Sequence, residues 1–177
     1  MSITSADNHW MYLSSSGCLS AGRQKAEHAL FPYVTDDLLH KNTHFTGPAT
    51  CVSIDVNNKK YSWQPFSDQI DTYKKDQNLY KNSLGNRIVF EEINHTLGLT
   101  FLYSWQASAK YGFVKKTKLL NHSGKELNIK LIDGLRNILP AGVGLRTQQE
   151  MSNLANAYKI SECNSDYNYA LYYMNAL

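Results

Sequence analysis

Between Asn86 and Pro140 apolar and polar residues alternate, and a turn signal interrupts them about every dozen residues. Ile88 and Phe90 fall on every second position of one run. Leu99, Phe101, Tyr103 and Trp105 do the same in the next. That is the side-chain period of a half-buried strand, and a helix cannot keep one face apolar with it. The turns at Asn94–Gly98 and Asn121–Gly124 separate the runs, with Leu127, Ile129 and Leu131 on one side of the last. This stretch predicts three or four consecutive antiparallel strands.

The rest of the chain adds shorter strands. HWMYL (9–13) and CLSAGR (18–23) flank the turn Ser14–Gly17, and TCVSIDV (50–56) and KKYSWQPF flank Asn57-Asn58, which predicts two hairpins. Residues 67–81 are polar and read as a loop, with Tyr80 belonging to the strand that follows. Residues 24–47 show no clean period, contain Pro32 and hold three of the six histidines. A long irregular segment in a small domain is often functional. Near 146–159 the period changes: Met151, Leu154, Ala155 and Tyr158 share one helical face, and Thr147 with Glu150 fits a capping box. NYALYYM (168–174) returns to a strand pattern. Strands at regular spacing with one short helix make an all-β antiparallel β-sandwich, a single domain over 1–177. The chain stops in an apolar run at Leu177, which reads as a fragment of a longer protein.

Composition excludes several classes. A net charge of +3, spread over pairs such as Lys59-Lys60, Lys74-Lys75 and Lys115-Lys116, argues against nucleic acid and reads as solvated strand faces. No apolar run is long enough for a membrane span, and the N-terminus lacks a signal-peptide pattern. Three widely spaced cysteines contain no CxxC, which fits reduced thiols in the cytoplasm better than a zinc site. No HxH, HExxH, GxSxG or GxGxxG appears, so no catalytic residue, metal or cofactor is predicted.

Candidate binding residues come from two places. His28, Tyr33, Asp36 and Asp37 lie in the irregular segment. Asp36-Asp37 either contacts sugar hydroxyls or caps the helical turn DLLHK. Trp10 and Trp63 offer aromatic faces for sugar stacking, or else fill the core, as Trp105 is expected to do. Glu91-Glu92 lies in a strand, so its side chains point to opposite faces and cannot act as an acid pair. A self-contained sugar epimerase needs a His base and a Glu acid on one face, for which His95 with Glu91 or Glu92 is the nearest candidate.

GCLSAGRQKAEHALFPYVTDD (17–37), YSWQPFSD (61–68), NLYKNSLGNRIVFEEINHTLGLTF (78–101), YGFVKK (111–116) and IDGLRNILPAGV followed by QQEMSNLANAYKISE (132–162) together resemble the N-terminal β-sandwich domain of cellobiose phosphorylase-like proteins. These belong to the inverting glycoside phosphorylases and hydrolases with an (α/α)6 barrel. The resemblance implies a supersandwich similar to galactose mutarotase and a carbohydrate-active parent enzyme. It also implies a barrel downstream that carries the catalytic groups and the phosphate site. This domain would pack on the barrel, support a homodimer and bring the 24–47 loop to the substrate entrance. The alternative is a free-standing carbohydrate-binding module using Trp10 and Trp63.

Overall fold

A computed structural model describes residues 1–56, 59–67, 72–140 and 143–175. The first hairpin forms as expected. β1 (Ser2–Ile3), β2 (His9–Leu13) and β3 (Leu19–Arg23) make an antiparallel sheet in that order. Two 3-10 turns follow, Ala26–His28 and Asp36–Asn42, so the irregular segment contains local helical structure without a full α-helix. β4 (Gly47–Val56) pairs with β5 (Lys59–Trp63), while the expected Asn57-Asn58 turn between them lies outside the described residues.

Residues 75–81 correct the expected loop. They form β6 (Lys75–Lys81), paired with β7 (Arg87–Asn94). β6 is an edge strand with polar residues on both faces, so it carries no apolar alternation to detect. Side-chain hydrogen bonds to the neighbouring strand reinforce its backbone ladder: Gln77 donates to Glu92, and Asn78 and Tyr80 donate to Glu91. β8 (Leu99–Ser108) and β9 (Gly112–Asn121) complete a four-stranded antiparallel sheet in the order β6-β7-β8-β9.

The predicted meander ends at β9. β10 (Asn128–Arg136) crosses to the other side and pairs along its whole length with β4, from Asn128↔Asp55 to Arg136↔Gly47. Alternation identified β10 as a strand but held no information about its partner. The β1-β2-β3 sheet, the β10-β4-β5 sheet and the four-stranded sheet share one continuous core. It takes Met11, Leu13 and Leu19 from the first sheet, Val52, Ile54 and Trp63 from β4 and β5, and Ile88, Phe90, Leu99, Phe101, Tyr103 and Trp105 from the meander. Each such side chain contributes about 1.5–3 kcal/mol by leaving water. The protein is thus an all-β antiparallel sandwich.

The single helix expected near 146–159 is two short ones, α1 (Leu145–Glu150) and α2 (Ser152–Ala157). They break at Met151, whose backbone lies at φ −133°, ψ 35°. The capping box is absent because α1 starts two residues before Thr147. Glu150 pairs instead with Arg146 at 2.8 Å. Of the predicted apolar face only Ala155 is buried, while Met151 and Leu154 are exposed. β11 (Lys159–Asn164), which had no sequence signal strong enough to separate it from the helix, pairs with β12 (Tyr169–Met174).

Candidate functional site

Inward-facing positions of a sandwich are normally apolar. In β9, Phe113 and Leu119 pack on the core, and Lys115 and Thr117 share their parity. Leu127, just before β10, and Ile129 and Leu135 within it pack inward, and Asp133 shares their parity. Polar side chains therefore enter the space between the sheets where these strands run along its open side. Lys115 Nζ bonds both oxygens of Asp133, at 2.6 and 2.7 Å. Thr50 Oγ1 donates to Oδ1 and Thr117 Oγ1 to Oδ2, each at 2.7 Å. Burial pushes the Asp133 carboxyl up, but these hydrogen bonds and the Lys115 charge outweigh it and hold the group below the ordinary carboxylate range. The side chain of Lys115 is only 11% exposed, so the expectation of a solvated lysine fails there.

Tyr103, opposite Thr117 in the ladder, lies against this cluster, with Lys115 Nζ 5.6 Å from its ring centre. Its ring stacks on Phe90 at 4.6 Å, and the residue is 3% exposed. Burial, with the Asp133 charge adding to it, pushes the phenol well above its ordinary value, so it stays protonated. The hydroxyl has no hydrogen-bond partner among the described residues. It reaches Gly17 in the β2–β3 turn, where a Cβ would stand 2.6 Å from it. Gly17 sits at φ +88°, so a side chain there is excluded on backbone grounds as well.

Above this hydroxyl lies a cleft of about 110 Å³, walled by the β2–β3 turn, residues 43–50, residues 64–67 and Arg136. Arg136 Nη1 donates to His44 O at 2.6 Å, and Nη2 donates to Thr43 O and Pro48 O at 3.4 Å. All three acceptors are main-chain carbonyls. Among the described residues no carboxylate pairs with this guanidinium, and none lines the cleft. Thr43 Oγ1 donates to His40 O, so Ser16 must donate to Thr43 and Ser14 to Ser16 in the 2.8 Å chain that joins them. Those hydroxyl protons are committed. Arg136 and Tyr103 keep donors to spare.

A second inward carboxylate, Glu92, stands in a different setting. It is fully buried and accepts from Trp63 Nε1, the Phe66 amide and Gln77 Nε2, each at 2.7 Å. Three donors stand in for a counter-ion. Phe66 has φ 63°, a strained region for a bulky residue, and it forms part of the cleft wall. Glu92 thus fixes the wall from behind. Glu91 points to the outer face, bonded by Asn78 and Tyr80, so the two glutamates are separated as expected.

The residues predicted from sequence do not form one site. Trp63 is 2% exposed, packs edge-on against Phe101 and spends its N–H on Glu92, so it offers no face to a sugar. Trp105 is equally buried. Trp10 and Tyr33 do meet, with ring centres 5.8 Å apart, and Tyr12 lies 6.1 Å from Trp10. His28 is exposed and borders a separate groove with Leu30, Ile138 and Tyr172. Asp36 and Asp37 are exposed in the first turn of the second 3-10 segment, where neither Thr35 nor they form a side-chain cap. Among the described residues no hydrogen bond or ion pair joins His28 to either aspartate. His95 is a turn residue held by Asp76 at 2.7 Å, away from both Glu91 and Glu92. All three cysteines are free thiols, and no group of three His, Cys, Asp or Glu among the described residues is arranged to hold a metal.

The cleft itself was missed. The polar cluster beside it did leave a signal: Lys115 and Thr117 in one strand, and Asp133 in another, interrupt the apolar parity, although none of the three lines the cleft. No protein-family model matches the chain, and no curated protein matches it. Among the described residues no helix is long and apolar enough to cross a membrane.

Proposed function

We propose that this chain is a non-catalytic β-sandwich domain of a carbohydrate-active enzyme, similar to the N-terminal domain of cellobiose phosphorylase-like proteins. Its role is to support an (α/α)6 catalytic barrel and to take part in a homodimer, in the cytoplasm. The fold is compatible with a supersandwich of galactose mutarotase type. The observation that carries the non-catalytic reading is the state of the two inward carboxylates. Glu92 and Asp133 are each saturated by donors, so neither serves as the acid or base of a glycosidic reaction. The docking role is supported by β10. It is an edge strand whose outer face exposes Ile132 at 75%, and the β11–β12 hairpin exposes Tyr167 at 77%. Bare edges and apolar patches call for cover.

The test is to incubate the chain with cellobiose and phosphate, and separately to co-purify it with an (α/α)6 barrel of this enzyme group lacking its own sandwich. We expect no sugar phosphate from the chain alone and a stable complex with the barrel. Turnover by the chain alone overturns the reading.

The contact between Trp10 and Tyr33 favours one alternative, a free-standing carbohydrate-binding module. That reading predicts calorimetric heat with cello-oligosaccharides at millimolar concentration, abolished by Trp10→Ala. No heat removes it.

A further inference from the structure

We propose that the cleft between the sheets at Arg136 and Tyr103 is a binding site for a small oxyanion of the phosphate type. The site does not depend on the parent enzyme being carbohydrate-active, because it rests on four features of the cleft alone.

First, Arg136 contributes a full positive charge that no carboxylate neutralises among the described residues. Its partners are three carbonyls, which position the guanidinium without cancelling its charge. An arginine has five N–H donors in a planar fork, and at least two remain here for a ligand.

Second, Tyr103 is 97% removed from solvent, yet its hydroxyl has no partner among the described residues and lies at the cleft. The hydroxyl oxygen is not among the buried unpartnered atoms but faces the open cleft, so its donor is free for an occupant of that space. The phenol is also held protonated, which makes it a donor to an incoming oxygen.

Third, the lining carries His44 and Gln64 as further nitrogen-bearing groups and contains no acid. The neighbouring Asp133 has its four short hydrogen bonds turned to Lys115, Thr50 and Thr117. Asp133 still acts on Tyr103 through its charge, which Lys115 offsets in part, and the charged side chain that lines the cleft itself is Arg136.

Fourth, the volume of about 110 Å³ is several times what one water requires, at roughly 10–15 Å³, and well below the ~300 Å³ where sites for drug-sized ligands begin. A tetrahedral oxyanion with a bridging water matches it, and a disaccharide does not. The floor is also rigid. Gly17 leaves room for the Tyr103 hydroxyl, and Glu92 holds Phe66 in its strained conformation behind the wall.

The experiment is an NMR titration of the ¹⁵N-labelled full chain with sodium phosphate, at ionic strength kept constant with sodium chloride. Methyl phosphate is titrated in a parallel arm. We expect saturable shifts at the amides of Gly17, His44 and Thr50 and at the Arg136 side chain. Arg136→Gln weakens the affinity about tenfold or more, the scale of a charged hydrogen bond. Tyr103→Phe weakens it about fivefold, the scale of a neutral one, while preserving the ring packing. Saturation by phosphate alone supports a free-ion site, and equal saturation by methyl phosphate supports a site for phosphate monoesters. Small, non-saturating shifts spread over all lysines overturn the proposal. So does an affinity unchanged in Tyr103→Phe, a variant that keeps the fold even if Arg136→Gln does not.

Discussion

Two carboxylates enter this sandwich from opposite corners, and their surroundings differ in kind. Glu92 sits in a closed corner, without exposure, held by an indole N–H, a backbone amide and a glutamine amide. Asp133 sits on the open seam between β9 and β10, paired with a lysine and two threonines, beside a cleft that holds an unneutralised arginine. The closed corner shapes the backbone. The open seam joins two sheets that share no backbone ladder, and it leaves a ligand-sized space next to the joint. A buried acid is therefore weak evidence of function by itself; access and the charge next to it decide.

Breaking the seam has the largest expected effect. Lys115→Met leaves Asp133 inside without its cation. We expect about 3 kcal/mol lost in urea unfolding, the low end for an orphaned ion-pair partner because two threonine donors remain. Glu92→Gln comes next, at about 2 kcal/mol: the amide presents an N–H toward donors that need an acceptor. Phe66 should respond as well, with its amide exchanging faster with solvent once its acceptor is weakened. The smallest effect belongs to Tyr103→Phe. Its hydroxyl has no partner among the described residues, so stability should stay within about 0.5 kcal/mol of the parent while phosphate affinity falls. A large loss of stability there would mean that the hydroxyl is part of the core network and that the two corners are more alike than described.

The regular alternation of Ile88, Phe90 and Leu99–Trp105 made the meander legible, because period 2 is a local property and survives without knowledge of partners. β6 was illegible for the opposite reason. It has polar residues on both faces, and its strand depends on the backbone ladder to β7 and on side-chain bonds to Glu91 and Glu92. The partner of β10 was equally hidden, since pairing with β4 joins residues some 80 positions apart in sequence, as Thr50 to Asp133 shows. Loop composition drew attention to His28, Asp36 and Asp37, which the structure leaves exposed and apart. Aromatic content drew attention to Trp63, which fills the core. The seam beside the cleft was written in broken parity, Lys115 and Thr117 among apolar β9 residues and Asp133 among apolar β10 residues. With Lys115 read as part of a solvated strand face, nothing in the sequence brought it to Asp133.

The central claim is that Asp133 is an ionised, locked partner of Lys115 on the seam. A carboxyl held low in the fold adds stability above its unfolded value of about 3.9, and that contribution fades as pH falls through the folded value. The direct measurement is the ¹³Cγ chemical shift of Asp133 against pH, in the parent and in Lys115→Met. The geometry predicts a midpoint below about 3.9 in the parent and a clear rise in the variant, where burial acts without the lysine. A parent midpoint at or above that value, unmoved by the substitution, would contradict the seam.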